Sequence, residues 1–148
     1  ATIIESILQN DLTGKTVLDM GCGTGILSIL ASIKGAEFIT AIDIDEWSYN
    51  GTKENAALNN IQNIEIKLGD ASLLGEKKYD VIFANIHKNV LLNDMQAYFD
   101  SLQTGGTLIM SGFYTNDIPD IKKKAESLGL NDDGFVEKNN WVAHSFVK

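Results

Sequence analysis

Short apolar runs alternate with helical stripes along this chain, and that alternation limits the folds open to it. Each run is rich in β-branched residues, and most are followed by a stretch whose apolar residues recur every three or four positions. Strands that alternate with helices in this way form a parallel sheet with helices on both faces. We therefore predict an α/β fold with a Rossmann-like, doubly wound and mostly parallel sheet, whose first five strands cover residues 16–20, 38–42, 64–68, 79–86 and 107–111.

Apolar residues at helical spacing, capping residues and glycines that end helices predict the remaining elements. Helices are expected to end near Asn10, to cover residues 24–34 and 46–59, to follow the stripe Leu91, Met95, Tyr98 and Leu102 as far as the glycines at 105 and 106, and to run from about residue 118 to Gly129. The helix over residues 46–59 is expected to bury Ala56, Ala57 and Leu58 along part of its face. Residues 135–138 and 141–147 flank Asn139-Asn140, a pair that suits a tight hairpin. Residues 1–148 thus form one domain with seven strands, ending in an antiparallel hairpin.

Composition narrows the classes of function. The 148 residues carry a formal net charge of −8, which disfavours direct binding to nucleic acid. No stretch of about 18 apolar residues is present, so no membrane span is expected. Cys22, the one cysteine, allows neither an internal disulfide nor a cysteine metal cluster and suits a reducing cytoplasm. We expect a cytoplasmic protein with no metal site.

A glycine-rich turn follows the first predicted strand directly. Glycines at positions 21, 23 and 25 alternate with Cys22 and Thr24, and the apolar run behind them predicts a helix. Such a turn lets the backbone approach a nucleotide cofactor closely. The dinucleotide fingerprint spaces its glycines as G-x-G-x-x-G, so the alternating spacing indicates S-adenosylmethionine rather than NAD.

Polar residues stand where the predicted strands end, at the edge where doubly wound sheets bind ligands. Asp43 follows the glycines at close to the sequence spacing at which an acidic residue binds ribose hydroxyls. The alternative role for Asp43 is to cap the helix that follows. Asp19 is expected to meet the cofactor's amino group, and Asp70 with Ala71 its adenine, unless Asp70 only shapes a turn. Asp45 is interpreted as a helix cap. The predicted cofactor site comprises Asp19, Gly21, Cys22, Gly23, Thr24, Asp43, Ile44, Asp70, Ala71 and Asn85.

Residues 17–25, Asp43-Ile44-Asp45 and residues 54–59 resemble the class I methyltransferases. Ala84-Asn85-Ile86, Ser111-Gly112-Phe113 and the closing hairpin resemble, more narrowly, the ribosomal protein L11 methyltransferase family. The resemblance implies methylation of lysine side chains and an N-terminal amine of a ribosomal protein, with Gly21, Asp43 and Asn85 as cofactor ligands. Family members also carry a glycine-rich stretch ending in two threonines and an N-terminal substrate-recognition domain, both expected to be absent here. Glu46-Trp47 stands where the family commonly has a proline.

Asn85 is the candidate catalytic residue, because its side-chain oxygen can accept a hydrogen bond from an amine. The alternative is a cap for the helix that follows. Trp47 is a candidate adenine wall, and Phe113 and Trp141 are candidates for the substrate side. His87 and His144 are interpreted as surface or hydrogen-bonded polar residues, and Lys122 to Lys124 as a solvated helix face.

Three rival functions stay open at this point. One is a methyltransferase that acts on nucleic acid or a small molecule, although Asn85 is followed by Ile86-His87 rather than by prolines and a base-stacking aromatic residue. The second is an NAD-dependent oxidoreductase of similar fold. The third is a module that binds the cofactor without methylating anything.

Overall fold

A seven-stranded mixed sheet forms the centre of the computed structural model, which describes residues 11–148. The helix expected to end near Asn10 lies outside the described residues. The strand order is β3-β2-β1-β4-β5-β7-β6, with β1 to β5 parallel and β7 antiparallel to both neighbours. The strands are β1 (Thr16–Met20), β2 (Phe38–Asp43), β3 (Ile64–Leu68), β4 (Tyr79–Asn85), β5 (Leu102–Tyr114), β6 (Asn131–Lys138) and β7 (Trp141–Val147). The predicted Rossmann-like class is confirmed.

Helices cover both faces of this sheet. They are α1 (Ile26–Ile33), α2 (Glu46–Leu58), α3 (Lys88–Asp100) and α4 (Ile118–Leu128). Neighbouring residues of a strand point to opposite faces, so Val17 packs in the core that includes Leu27 of α1 while Leu18 packs in the core that includes Leu91 of α3. Two apolar layers, one on each face, therefore hold the sheet in place. No helix among residues 11–148 has the length and apolar character needed to cross a membrane.

Several boundaries differ from the sequence-based prediction, most of all those of β5, which covers Leu102–Tyr114 rather than residues 107–111. Helix α3 ends at Asp100, and Leu102 already belongs to β5, where it pairs with Tyr79. Leu102 continues the helical spacing by coincidence, because a buried strand residue and a buried helix residue are both apolar. Gly105 and Gly106 lie within β5, next to a shift in its pairing with β4, instead of ending a helix. Strand β6 also begins earlier than predicted, at Asn131.

Helix α2 buries a narrower face than its sequence suggested. Thr52 and Ala56 are its buried residues, whereas Ala57 is exposed and Leu58 is 73% exposed. Ala57 and Leu58 were therefore wrongly predicted to be buried, since one turn of helix can present only part of its circumference to the sheet.

The C-terminal hairpin has the predicted turn. Asn139 and Asn140 adopt φ values of 53° and 67°, as a two-residue turn of type I′ requires. On the following strand, His144 is fully buried, and its Nε2 lies 2.8 Å from Oδ1 of Asp132 on β6. This bond holds the pKa of Asp132 down, at about 2. The pair ties the edge strand β6 to its neighbour β7.

Candidate active site

A cavity of about 580 Å³ opens at the carboxyl ends of the parallel strands. Gly21, Asp43, Asp70 and Asn85 line it, each at or just after the end of one of the first four strands. Strand order reverses between β1 and β4, and doubly wound sheets bind their ligands at such a switch point. The volume lies in the range of small-molecule sites. The sheet itself thus brings these separated residues together.

The two carboxylate oxygens of Asp43 are fixed by backbone amides. The N–H of Gly23 donates to Oδ2 at 2.9 Å, and the N–H of Asp45 donates to Oδ1 at 2.9 Å. A carboxylate offers about four acceptor positions, so these bonds orient the group and leave room for two further donors. Asp45, in turn, accepts from the N–H groups of Trp47 and Ser48 and caps α2. The cap role thus falls on Asp45 and not on Asp43.

Asp19 lies behind the cavity rather than on its lining. Its side chain is fully buried, and Oδ2 accepts a 2.6 Å hydrogen bond from the Ser28 hydroxyl. Oδ1 has no hydrogen-bond partner among residues 11–148. Burial and, to a smaller extent, the nearby Asp43 carboxylate raise the pKa of this carboxyl from 3.8 to about 6. An unpartnered buried oxygen of this kind is costly to maintain in a folded protein.

Within the glycine turn, residues 21–25, only Gly21 lines the cavity. Cys22, Gly23 and Thr24 lie away from it. Cys22 is buried, with Sγ 3.5 Å from Oγ1 of Thr52, and burial raises the pKa of its thiol to about 12. A thiol held in its neutral form is a poor nucleophile. Thr24 is exposed on the outside of the turn, where its carbonyl accepts from Asn55.

At the end of β3, Asp70 and Ala71 line the cavity together with Gly69. Oδ1 of Asp70 accepts from the N–H of Ser72 at 2.9 Å and from its hydroxyl at 2.5 Å, so it caps the short turn Ala71–Leu73. Both bonds lower the pKa of Asp70. They engage the same oxygen, so the turn role and a ligand role are compatible.

Asn85 ends β4 and faces the cavity. Its side chain makes no hydrogen bond within residues 11–148, and α3 begins three residues later with His87 at its N-cap. Asn85 is therefore not the cap of that helix. A free amide at the switch point is available for a ligand.

The cavity lining also contains residues that the predicted cofactor site did not include. Among them are Ile86, His87, Val90, Asp94 and Gly112. Asp94 was detectable only as the residue one turn after Val90 on the same face of α3.

Of the three aromatic candidates, Trp47, Phe113 and Trp141, only Trp141 lines the cavity. Trp141 lines the cavity and packs edge-to-face against Tyr114 with ring centroids 5.0 Å apart, whereas Phe113 is buried in the core. Trp47 is 82% exposed and does not line the cavity. No group of histidine, cysteine or acidic residues within the described part of the chain could hold a metal ion.

Comparison with known proteins identifies this architecture. The family model described as "Ribosomal protein L11 methyltransferase (PrmA)" matches residues 2–148. The chain belongs to this family. A ribosomal protein L11 methyltransferase of Phocaeicola vulgatus is 55% identical over 148 residues, which are 99% of this chain and 53% of that protein. The chain thus spans about half the length of the curated relatives it matches.

Solved structures agree with that membership. The ribosomal protein L11 methylase of Lactobacillus delbrueckii subsp. bulgaricus has a TM-score of 0.91 and 29% identity, with 98% of this chain and 75% of that chain covered. M. jannaschii TYW2 in complex with AdoMet has a TM-score of 0.74 and 19% identity, covering 97% of this chain and 74% of that one. This second likeness shows the methyltransferase fold alone. The resemblance found in the sequence is confirmed.

Proposed function

We propose that this chain binds S-adenosylmethionine in the cavity and transfers its methyl group to lysine side chains and an N-terminal amine of a ribosomal protein. The observation that carries the proposal is the Asp43 carboxylate, held by two backbone amides at the cavity with acceptor positions to spare. Two ribose hydroxyls are the donors that such a group suits. A ribosomal-protein substrate is the one named for the relatives, and it would place the reaction in the cytoplasm.

The charges at the site favour a cationic cofactor. Asp43, Asp70 and Asp94 line the cavity, and the unpartnered oxygen of Asp19 lies behind it. A sulfonium and an ammonium are attracted by these carboxylates, whereas the pyrophosphate of NAD is repelled by about 1 kcal/mol per close pair even in bulk water. The buried oxygen of Asp19 would gain an ammonium partner. The residues present therefore fit S-adenosylmethionine better than a dinucleotide.

When bound, S-adenosylmethionine supplies an electrophilic methyl group that an uncharged amine attacks in line. The protein's own task is to orient that amine and to exclude water from it. The Asn85 side-chain oxygen is free to accept an N–H of the amine, and Trp141 lines the same cavity. A lysine amine has an ordinary pKa near 10.4, and an apolar wall lowers it, which increases the reactive neutral fraction.

Two measurements test this function. Calorimetry on the complete gene product is expected to show binding of S-adenosylhomocysteine and none of NAD. Mass spectrometry of ribosomal proteins incubated with labelled cofactor is expected to show mass increases in steps of one methyl group on one protein. Labelled RNA with unlabelled protein would instead support a nucleic-acid methyltransferase, and binding of S-adenosylhomocysteine without any methylated product would support a binding module.

Cofactor affinity is expected to depend on pH through Asp19. Its pKa of about 6 in the folded protein, against an ordinary 3.8, makes the neutral form prevail at pH 5. Only the ionised form attracts an ammonium, so we expect S-adenosylhomocysteine to bind about tenfold more weakly at pH 5 than at pH 7. The unliganded protein should behave in the opposite sense, losing stability as pH rises through about 6, because the buried carboxyl must then ionise.

Calorimetric titrations from pH 5 to pH 8 measure this dependence, with Asp19→Asn as the comparison. The amide can still accept from Ser28 but does not titrate. An Asp19→Asn variant that keeps the full pH dependence would assign the effect to another group.

Replacing Asn85 by alanine is expected to lower turnover about fivefold, since a net hydrogen bond of about 1 kcal/mol to the amine is lost. Steady-state rates with saturating cofactor and a lysine-containing protein substrate measure the change. Asn89→Ala, on the exposed first turn of α3 and off the cavity lining, is the matched control and should leave the rate unaltered. Equal rates and equal cofactor affinity for Asn85→Ala and the wild type would exclude both roles of Asn85.

A further inference from the structure

Helix α2 is bonded to the glycine turn through two side chains. The hydroxyl of Thr52 donates to the carbonyl of Gly23 at 2.8 Å, and Nδ2 of Asn55 donates to the carbonyl of Thr24 at 2.9 Å. Residues three apart lie on the same face of a helix, so this spacing presents both donors to one edge of the turn. Neither residue lines the cavity. Their hydrogen bonds therefore act on the turn from behind.

The bond from Thr52 continues as far as Asp43. Gly23 is held through the peptide groups on both of its sides, because its carbonyl accepts from Thr52 while its N–H donates to Oδ2 of Asp43 at 2.9 Å. Because the two bonds together restrain φ and ψ of Gly23, loss of the bond from Thr52 relaxes the aim of the N–H at Asp43. Thr52 thus helps to decide where the Asp43 carboxylate points.

Packing between α2 and the turn leaves little freedom for this arrangement to relax. Thr52 is fully buried, and a Cβ built on Gly25 would lie 2.7 Å from its Cγ2. Real atoms do not approach so closely, so the methyl group of Thr52 occupies space that only a glycine at position 25 leaves open. The methyl group of Thr52 thus packs against Gly25, and its hydroxyl donates to the carbonyl of Gly23.

We infer that Thr52 and Asn55 are positioning residues for the cofactor, acting through the Gly23 and Thr24 carbonyls, with Thr52 orienting Asp43. The inference rests on the proposed cofactor function. It explains why a threonine and an asparagine occupy the face of α2 that meets the turn. Position 52 matters to ligand affinity although its side chain does not line the cavity.

The test is calorimetric titration of the complete gene product with S-adenosylhomocysteine. Thr52→Val keeps the shape of the side chain and removes the hydroxyl, and we expect about tenfold weaker binding. Thr52→Ser keeps the hydroxyl and removes the methyl, so its affinity should stay within about twofold of the wild type even though its packing is poorer. Thr40→Val is the matched control, a buried threonine of β2 with no hydrogen bond to the glycine turn within residues 11–148.

A double-mutant cycle separates orientation of Asp43 from general loss of structure. In an Asp43→Asn background, Thr52→Val should cost less than about twofold, because its effect passes through the carboxylate that has been removed. A tenfold loss that persists in that background, or wild-type affinity for Thr52→Val alone, would overturn the inference. Failure of the wild-type protein to bind S-adenosylhomocysteine would instead overturn the proposed function.

Discussion

Asp43→Ala is expected to weaken S-adenosylhomocysteine binding about a hundredfold. The side chain is placed to accept two ribose hydroxyls, and each hydrogen bond to a charged group contributes about 1.5 kcal/mol or more. The variant also releases the N–H of Gly23, which now donates to Oδ2 of Asp43 at 2.9 Å. Loss of ligand bonds and loss of turn geometry therefore act in the same direction. Calorimetric titration measures the change directly.

Asp45→Ala provides the matched control, because it removes the same charge two residues away. Asp45 caps α2, so this variant should lose about 1 kcal/mol of stability while keeping most of its cofactor affinity. The stability is measured by denaturant unfolding. Equal losses of affinity in the two variants would indicate that the acidic charge of the region, and not the position of Asp43, attracts the ligand.

Gly112→Ala is expected to destabilise the protein by about 3 to 5 kcal/mol, through backbone strain and overpacking together. Gly112 has a φ of +103°, and a Cβ there would lie 2.3 Å from the carbonyl oxygen of Ile86. That oxygen belongs to the chain just after β4, so relief of the clash must move Asn85 and the cavity wall. A lower midpoint in chemical denaturation, with a melting temperature reduced by roughly 10 °C, is the expected result.

Gly105→Ala, in the same strand β5, separates the effect of backbone strain from that of overpacking. Gly105 has a φ of +85°, but a Cβ built on it meets nothing within 4 Å. It should therefore lose only the conformational part, about 1 to 2 kcal/mol. Equal destabilisation of the two variants would contradict the steric role assigned to Gly112.

Much of the candidate site could be predicted because strand ends can be read locally. Asp43, Asp70 and Asn85 each follow a recognisable strand, and parallel strands bring their carboxyl ends to one edge. The alternation of apolar runs was enough to indicate that arrangement. The same local reasoning separated Asp45, whose cap is made with Trp47 and Ser48, from Asp43.

Other features depend on residues far apart in the chain. Sequence alone grouped Cys22, Gly23 and Thr24 with the cofactor, but the turn directs Cys22 toward Thr52 and Thr24 outward. The burial that raises the pKa of Asp19 requires α1 to pack over β1, and no local pattern reports that packing. Asp94 and Trp141 reach the cavity from α3 and β7, elements that the strand-end argument did not include.

The order of strands and helices, the family and the acidic residues at the strand ends were determined by the sequence, because each depends on side-chain type and spacing within about ten residues. The tertiary structure decided which oxygens are free, which glycines are indispensable and which side chains reach the cavity. Those properties depend on distances between segments that folding brings together. Thr52 illustrates the difference, since it is an ordinary helix residue until α2 packs against the glycine turn and its hydroxyl meets the carbonyl of Gly23.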